Sequence, residues 1–150
     1  LQNILNFRKD EGESLEKEFQ LRIGNIRQFM NEALALDPER VQAIKDRLQT
    51  AIAELQVNVD ENRFEQELIY YLEKLDITEE KVRLTNHLDY FLDTIKGTEA
   101  NGRKLGFITQ EMGREINTMG SKSNHAQMQK LVVQMKDELE KIKEQVLNVL

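Results

Sequence analysis

The stretch MQKLVVQMKDELEKIKEQVLNV, residues 128–149, decides the fold class. Met128, Val132, Met135, Leu139, Ile142, Val146 and Val149 alternate steps of four and three. An α-helix turns once every 3.6 residues, so these side chains line one face as a strict heptad seam. A helix of about 25 residues is about 38 Å long at 1.5 Å per residue, more than a small compact domain needs. The seam therefore predicts a partner: the first helix of the same chain, or another subunit.

Working upstream, the same periodicity recurs. Leu105, Ile108, Met112, Ile116 and Met119 share a helical face, interrupted by Gly106 and Gly113. Each glycine costs about 1 kcal/mol relative to alanine inside a helix, so each implies a close helix crossing or a nearby ligand. Before it, Val82, Leu88, Phe91, Leu92 and Ile95 predict a helix ending at KGTEANG. Its start, Asp76-Ile77-Thr78-Glu79, reads as a capping box between Asp76 and Glu79, or as a Thr78 cap with Ile77 stapled onto Val82. Asp60 is a candidate cap for a third helix carrying Phe64, Leu68, Tyr71, Leu72 and Leu75. Val41, Ile44, Leu48, Ile52 and Leu55 predict a second helix, opened by Asp37-Pro38. Leu15, Phe19, Ile23, Ile26, Met30 and Ala33 predict a first helix of about five turns. The expected architecture is all-α: an elongated multi-helix bundle with a long C-terminal heptad helix.

Composition agrees. The 150 residues include one proline and seven glycines, too few for a turn-rich β fold. A chain of this length is expected to form one helical domain over 1–150. Cysteine is absent, which removes disulfides, thiolate metal ligands and cysteine nucleophiles and fits a reducing, cytoplasmic setting. No run of about 18 apolar residues is present to span a membrane. The opening LQNILNFRKDEGE lacks the pattern of a secretory leader and starts within a helical pattern, so the chain is expected to be a fragment of a longer protein. Net charge is −6, so nucleic acid would have to meet a local basic patch.

Charge is unevenly spread. From Asp60 to Glu80 there are eight carboxylates and two cations, whereas from Lys81 to Lys122 there are seven cations and five acids. Carboxylates beside cations suit a site for a divalent metal and a phosphate. They also suit the wet faces of helices. Glu80, Arg83 and His87 share a stripe, readable as metal ligand, phosphate clamp and proton carrier, or as a surface ion-pair ladder. Lys104, Glu111, Glu115, Thr118 and Lys122 form a second stripe. Glu111 and Glu115, one turn apart, repel unless a cation such as Arg114 or a metal lies between them. Arg103 and Lys104 begin a helix, where amide donors and positive side chains together welcome a phosphate. Asn117 to Lys122 reads as a polar break between the last two helices, either a cradle for a phosphate or a simple turn, and His125 as a solvated or capping histidine. Glu67 and Glu73 add acids without distinctive spacing.

The segments QELIYYLEKLDITEEKVRLTNHLDYF and GRKLGFITQEMGREINTMGSK, followed by the heptad helix ending EKIKEQV, resemble the C-terminal domain of the YicC-like bacterial proteins. NFRKDEGESLEKEF resembles the helix that enters that domain. The resemblance implies an oligomeric, metal-dependent endoribonuclease linked to stress and small-RNA regulation. It implies a metal or catalytic role for Glu67, Asp76, Glu80, His87, Glu111 and Glu115, with Mg²⁺ or Mn²⁺ as cofactor. It implies phosphate contacts from Arg83, Arg103, Lys104, Arg114 and Lys122. Two positions depart from the family pattern: Gly106 and His125 stand where relatives usually carry acids.

The expected substrate is RNA, single-stranded because no long basic face is available for a duplex. The expected assembly is a homo-oligomer. The competing reading is a non-catalytic oligomerisation or RNA-adaptor module, supported by the heptad seam and the acidic net charge.

Overall fold

The computed structural model describes residues 2–54, 60–97 and 102–149, with side chains from residue 12 onward. Within these, α1 spans Gln2–Ala35, α2 Asp37–Glu54, α3 Glu61–Lys74, α4 Thr78–Lys96, α5 Gly102–Lys122 and α6 Ala126–Val146, and a single 3-10 turn follows at Leu147–Val149. No strand occurs among the described residues. The fold is an all-α bundle.

The heptad seam finds its partners inside the chain. α6 packs along α1 and α5, and α4 closes the bundle against α5 and α1. Met128, Val132, Met135, Leu139, Ile142 and Val146 are all buried, and Val149 packs on the edge of the same core. They meet the predicted α1 face of Phe19, Ile23, Ile26 and Met30 and the predicted α5 face from Leu105 to Met119. Phe19 and Phe91 meet edge to face, with ring centroids 5.1 Å apart.

α5 and α6 approach closely where α5 carries glycine. A Cβ at Gly113 would lie 3.4 Å from Leu139, and one at Gly120 would lie 3.0 Å from Val132. Gly106 has open space around it, so no packing constraint demands glycine there. A larger side chain meets no obstacle at that Cβ.

α2 and α3 stand apart from this core. α2 buries only Arg40 and Ile44, and α3 buries none of its described residues. Leu48 and Ile52 of α2 share a cleft with Phe64, Leu68 and Tyr71 of α3. The predicted Leu55 lies outside the described residues. Asp60 caps α3 as expected, its carboxylate accepting from the Asn62 N–H at 3.1 Å.

Several local expectations are corrected. α4 begins with neither proposed cap. The Asp76 carboxylate accepts from the Thr78 N–H at 3.1 Å and its hydroxyl at 2.7 Å, while Glu79 reaches forward to Arg83. Ile77 is buried in the core and Val82 is exposed, so no staple joins them. Leu84, not Val82, continues the α4 core line, because it shares a face with Leu88 and Phe91 at steps of four and three. Asn117 to Lys122 is helix, not a break, so most of its backbone is already committed to the α5 ladder. The turn is Ser123 to His125. His125 caps α6, its Nδ1 accepting from the Met128 N–H at 3.3 Å. It fills the role that a short acid commonly plays at a helix start.

One charged group is buried between the two longest-packed helices. Glu138 of α6 accepts from Arg22 at 3.2 Å and from Asn25 at 3.3 Å, both on α1. Burial pushes its carboxyl up, but hydrogen bonds from Asn25 and Arg22, with the charges of Arg22 and Lys141, outweigh that and hold it below its ordinary 4.5. The folded state then binds fewer protons than the unfolded one, so stability rises with pH. Glu138's contribution is complete above its ordinary value and is lost as pH falls through its lowered one.

Two outcomes follow for the fold. Gly106→Ala should raise stability by up to about 1 kcal/mol, whereas Gly120→Ala should gain nothing or lose, since its new methyl presses on Val132; urea unfolding separates the two. Glu138→Gln should cost about 1–2 kcal/mol at neutral pH and flatten the acid limb as pH falls through and below the ordinary carboxylate range, read by thermal unfolding across pH.

Candidate functional site

α4 and α5 run antiparallel, and their shared edge carries most of the candidate residues. The register can be read from three rungs. Near the start of α4, Lys122 Nζ lies 2.7 Å from Glu80 Oε1. Further along, Arg83 reaches Glu115 at 3.7 Å while holding Glu79 at 2.7 Å. Near the far end, Lys104 Nζ sits 4.9 Å from the centre of the Tyr90 ring. Between the last two rungs the same register places half-buried His87 level with Glu111, which has Arg114 at 3.7 Å.

Glu80 is the least comfortable group of the seam. Its side chain is 4% exposed. One oxygen is held by Lys122, but Oε2 is buried with no hydrogen-bond partner among the described residues. A buried carboxylate oxygen without a donor forfeits its hydration with nothing in return, and such an atom calls for an explanation. Glu115, also buried, has among the described residues only the longer contact to Arg83.

A second layer fixes the Lys122 end. Lys122 Nζ also donates to the Asp76 carbonyl at 3.0 Å. Arg40, 2% exposed, donates to the carbonyls of Leu75 at 2.7 Å and Lys122 at 2.9 Å and pairs with Asp37 at 2.8 Å. One guanidinium thus ties α2 to the α3–α4 junction and to the end of α5. Asp76 is held below the ordinary carboxylate value, chiefly by the Thr78 hydroxyl, with the Thr78 amide and the charges of Lys122 and Arg40 overcoming partial burial.

The structure therefore brings Glu80, Arg83, His87, Lys104, Glu111, Glu115 and Lys122 onto one edge, with Asp76 adjoining through its carbonyl. Arg114 lies outward of Glu111, and Arg103 is exposed in the first turn of α5. Glu67 is not brought there; it lines the α2–α3 cleft with Leu48 and Phe64. The expected pocket is a line of alternating acids and cations instead. Among the described residues, no three acids or histidines come close enough to hold a metal ion. The reading of Glu80, Arg83 and His87 as a surface ladder fails at Glu80, which is buried, and holds for Arg83 with Glu79.

Arg40, Tyr90 and Phe107 escaped the sequence reading. The Asp37-x-x-Arg40 spacing hints at a local ion pair but not at carbonyls reached from distant segments. Tyr90 lies three residues beyond His87 and Phe107 three beyond Lys104, both off the apolar stripes; that misfit was the available signal.

Comparison with known proteins identifies the family. The family model "Endoribonuclease YicC-like, C-terminal" matches residues 33–150. This chain belongs to the YicC-like family. It is 37% identical over 149 residues to "Probable endoribonuclease YicC" of Clostridioides difficile (strain 630), covering 97% of this chain and 51% of the relative. It is 34% identical over 149 residues to the protein of the same name from Haemophilus influenzae, covering 99% of this chain and 52% of the relative. The chain spans about half the length of these curated relatives. Among the described residues no helix is long and apolar enough to cross a membrane.

The Glu80–Lys122 pair makes a measurable claim. Lys122→Met leaves a buried carboxylate without its cation and should cost about 3 kcal/mol in urea unfolding. Adding Glu80→Gln should restore part of that loss, because the uncompensated charge is gone.

Proposed function

We propose that this chain is the phosphate-holding, carboxylate-bearing domain of a divalent-metal-dependent endoribonuclease acting on single-stranded RNA in the cytoplasm, as a homo-oligomer. Its link to stress or small-RNA regulation rests on the family resemblance alone. The observation that carries the catalytic reading is Glu80: a buried carboxylate with one oxygen on Lys122 and the other with no donor. Mg²⁺ is commonly held by one or two carboxylates, with water and phosphate oxygens filling the remaining positions. Glu80 and Glu115 have that donor chemistry, although the described residues of one copy supply no third ligand beside them. When bound, the ion supplies an acidified water and offsets charge on the phosphate.

The chain's own residues supply the rest. Arg83 and Lys122 bracket Glu80 and Glu115 with positive charge and hold the scissile and neighbouring phosphates, Arg83 by its planar fork and Lys122 as a point charge. Arg103, Lys104 and Arg114 extend the cationic track. His87, level with Glu111, moves a proton between water and leaving oxygen, and Glu111 orients it. Glu67 lies on the α2–α3 hairpin and has no part in this arrangement.

A second reading has its own support. Arg83 and Lys122 are already paired with acids, as an adaptor that merely docks RNA would allow. Calorimetry showing no Mn²⁺ binding, with RNA affinity indifferent to EDTA, would favour it.

Cleavage of a labelled, unstructured RNA by the full-length protein with Mn²⁺ tests the nuclease reading. Glu80→Gln, Glu111→Ala and Glu115→Ala should each slow cutting by about 100-fold or more, with RNA binding largely kept. Cutting at wild-type rate by all three would overturn the assignment.

A further inference from the structure

The seam ends in aromatic rings that neither the core nor the proposed chemistry uses. Tyr90 on α4 is 46% exposed and Phe107 on α5 is 61% exposed. Phe107 follows Lys104 by three residues and so shares its side of α5. Lys104 itself lies over the Tyr90 ring. The antiparallel register therefore puts Tyr90 level with Lys104, and Phe107 about one turn of α5 further along the same edge. Single exposed apolar residues are ordinary on protein surfaces. Two exposed aromatic rings near one end of this edge, with a lysine beside one of them and further exposed cations in line, form a different arrangement.

Charge and spacing name the occupant. Arg83 lies seven residues from Tyr90 on α4, about 10 Å along the axis at 1.5 Å per residue, a reach that a short single strand bridges. Arg114 lies seven residues from Phe107 on α5, so each ring has an exposed guanidinium two turns further along the seam. Proteins that hold single strands combine cations tracking the backbone with aromatic side chains under the bases. Exposed guanidinium and ammonium groups beside flat rings suit a polyanion that carries bases better than an apolar protein face. A duplex would present no base faces to the rings.

Resting on the nuclease reading above, we propose that Tyr90 and Phe107 are a base-stacking subsite for unpaired RNA. They hold bases on one side of the scissile phosphate while Arg83 and Lys122 hold the backbone at the acids. The subsite selects unpaired over paired RNA and tolerates any base, since every base offers a π-face. Lys104 contributes twice, steering phosphate and fixing the Tyr90 ring through a cation–π contact.

The test uses the full-length protein in EDTA, with fluorescent oligouridine, oligoadenosine and a blunt RNA duplex of equal length, read by anisotropy across a salt series. Tyr90→Ala and Phe107→Ala should each weaken single-strand binding by about 10-fold and duplex binding by less than about 2-fold. The salt slope should stay unchanged, because no phosphate contact is lost. Arg83→Gln should instead lower the slope. Phe107→Trp should restore binding, and unfolding curves of these surface variants should match wild type. Single-strand affinity unchanged in both alanine variants overturns the subsite. So does an equal loss for single strand and duplex. A drop in assembly mass for Phe107→Ala with RNA binding intact also overturns it, assigning the ring to an interface between copies. Cutting by wild type with normal binding in the variants rejects only this subsite, whereas no binding or cutting by wild type rejects the nuclease reading with it.

Discussion

The seam of α6 is the constraint on which the rest of the structure depends. Its buried methionines, valines, leucine and isoleucine need apolar surface on both sides, and α1 and α5 supply it. Removing such side chains from water is worth about 1.5–3 kcal/mol each, the dominant favourable term available to a chain without disulfides. Once α6 holds α5, the glycines at Gly113 and Gly120 let the two backbones draw close. The face of α5 opposite that contact is then committed to α4, and the α4–α5 edge is aligned as a consequence.

That edge carries a stability cost. Among the described residues, buried Glu80 has one oxygen unsatisfied, and buried Glu115 has a long contact to Arg83 alone. Packing alone would favour apolar residues there, since a buried ion pair seldom outperforms its hydrophobic replacement. The Arg40 clamp shows where support for this cost is placed. It holds the Leu75 and Lys122 carbonyls, so the cation facing Glu80 belongs to a segment with little freedom to drift. The α2–α3 hairpin, with few buried residues of its own, is anchored to the bundle at this same point.

The helical faces were legible because burial follows a local period. Phe19 through Ala33, Leu105 through Met119 and Met128 through Val146 were read correctly as lines of one face. Errors fell where two local rules competed. Val82 is apolar and near the start of α4, yet it lies two residues, more than half a turn, from Leu84, which keeps the steps of four and three to Leu88 and Phe91 and takes the core position. Asn117 to Lys122 looks like a turn by composition, but Ile116 and Met119 bury so well that the helix continues through it. Of the candidate site, the two stripes were legible as stripes. Their mutual register was not, nor was the exclusion of Glu67.

By itself the sequence determined the helices, their buried faces, the heptad seam and the family, because each is written in residues near one another or in ordered motifs. Only the tertiary structure decided which helices share an edge. It decided that Glu80 answers Lys122, that Glu115 answers Arg83, and that Arg40 reaches carbonyls far along the chain. It also decided that the seam is consumed within the chain along α1 and α5. The reason is physical: periodicity sets which side of a helix is apolar, while the pairing of polar sides depends on how separate helices cross, and no local pattern encodes that.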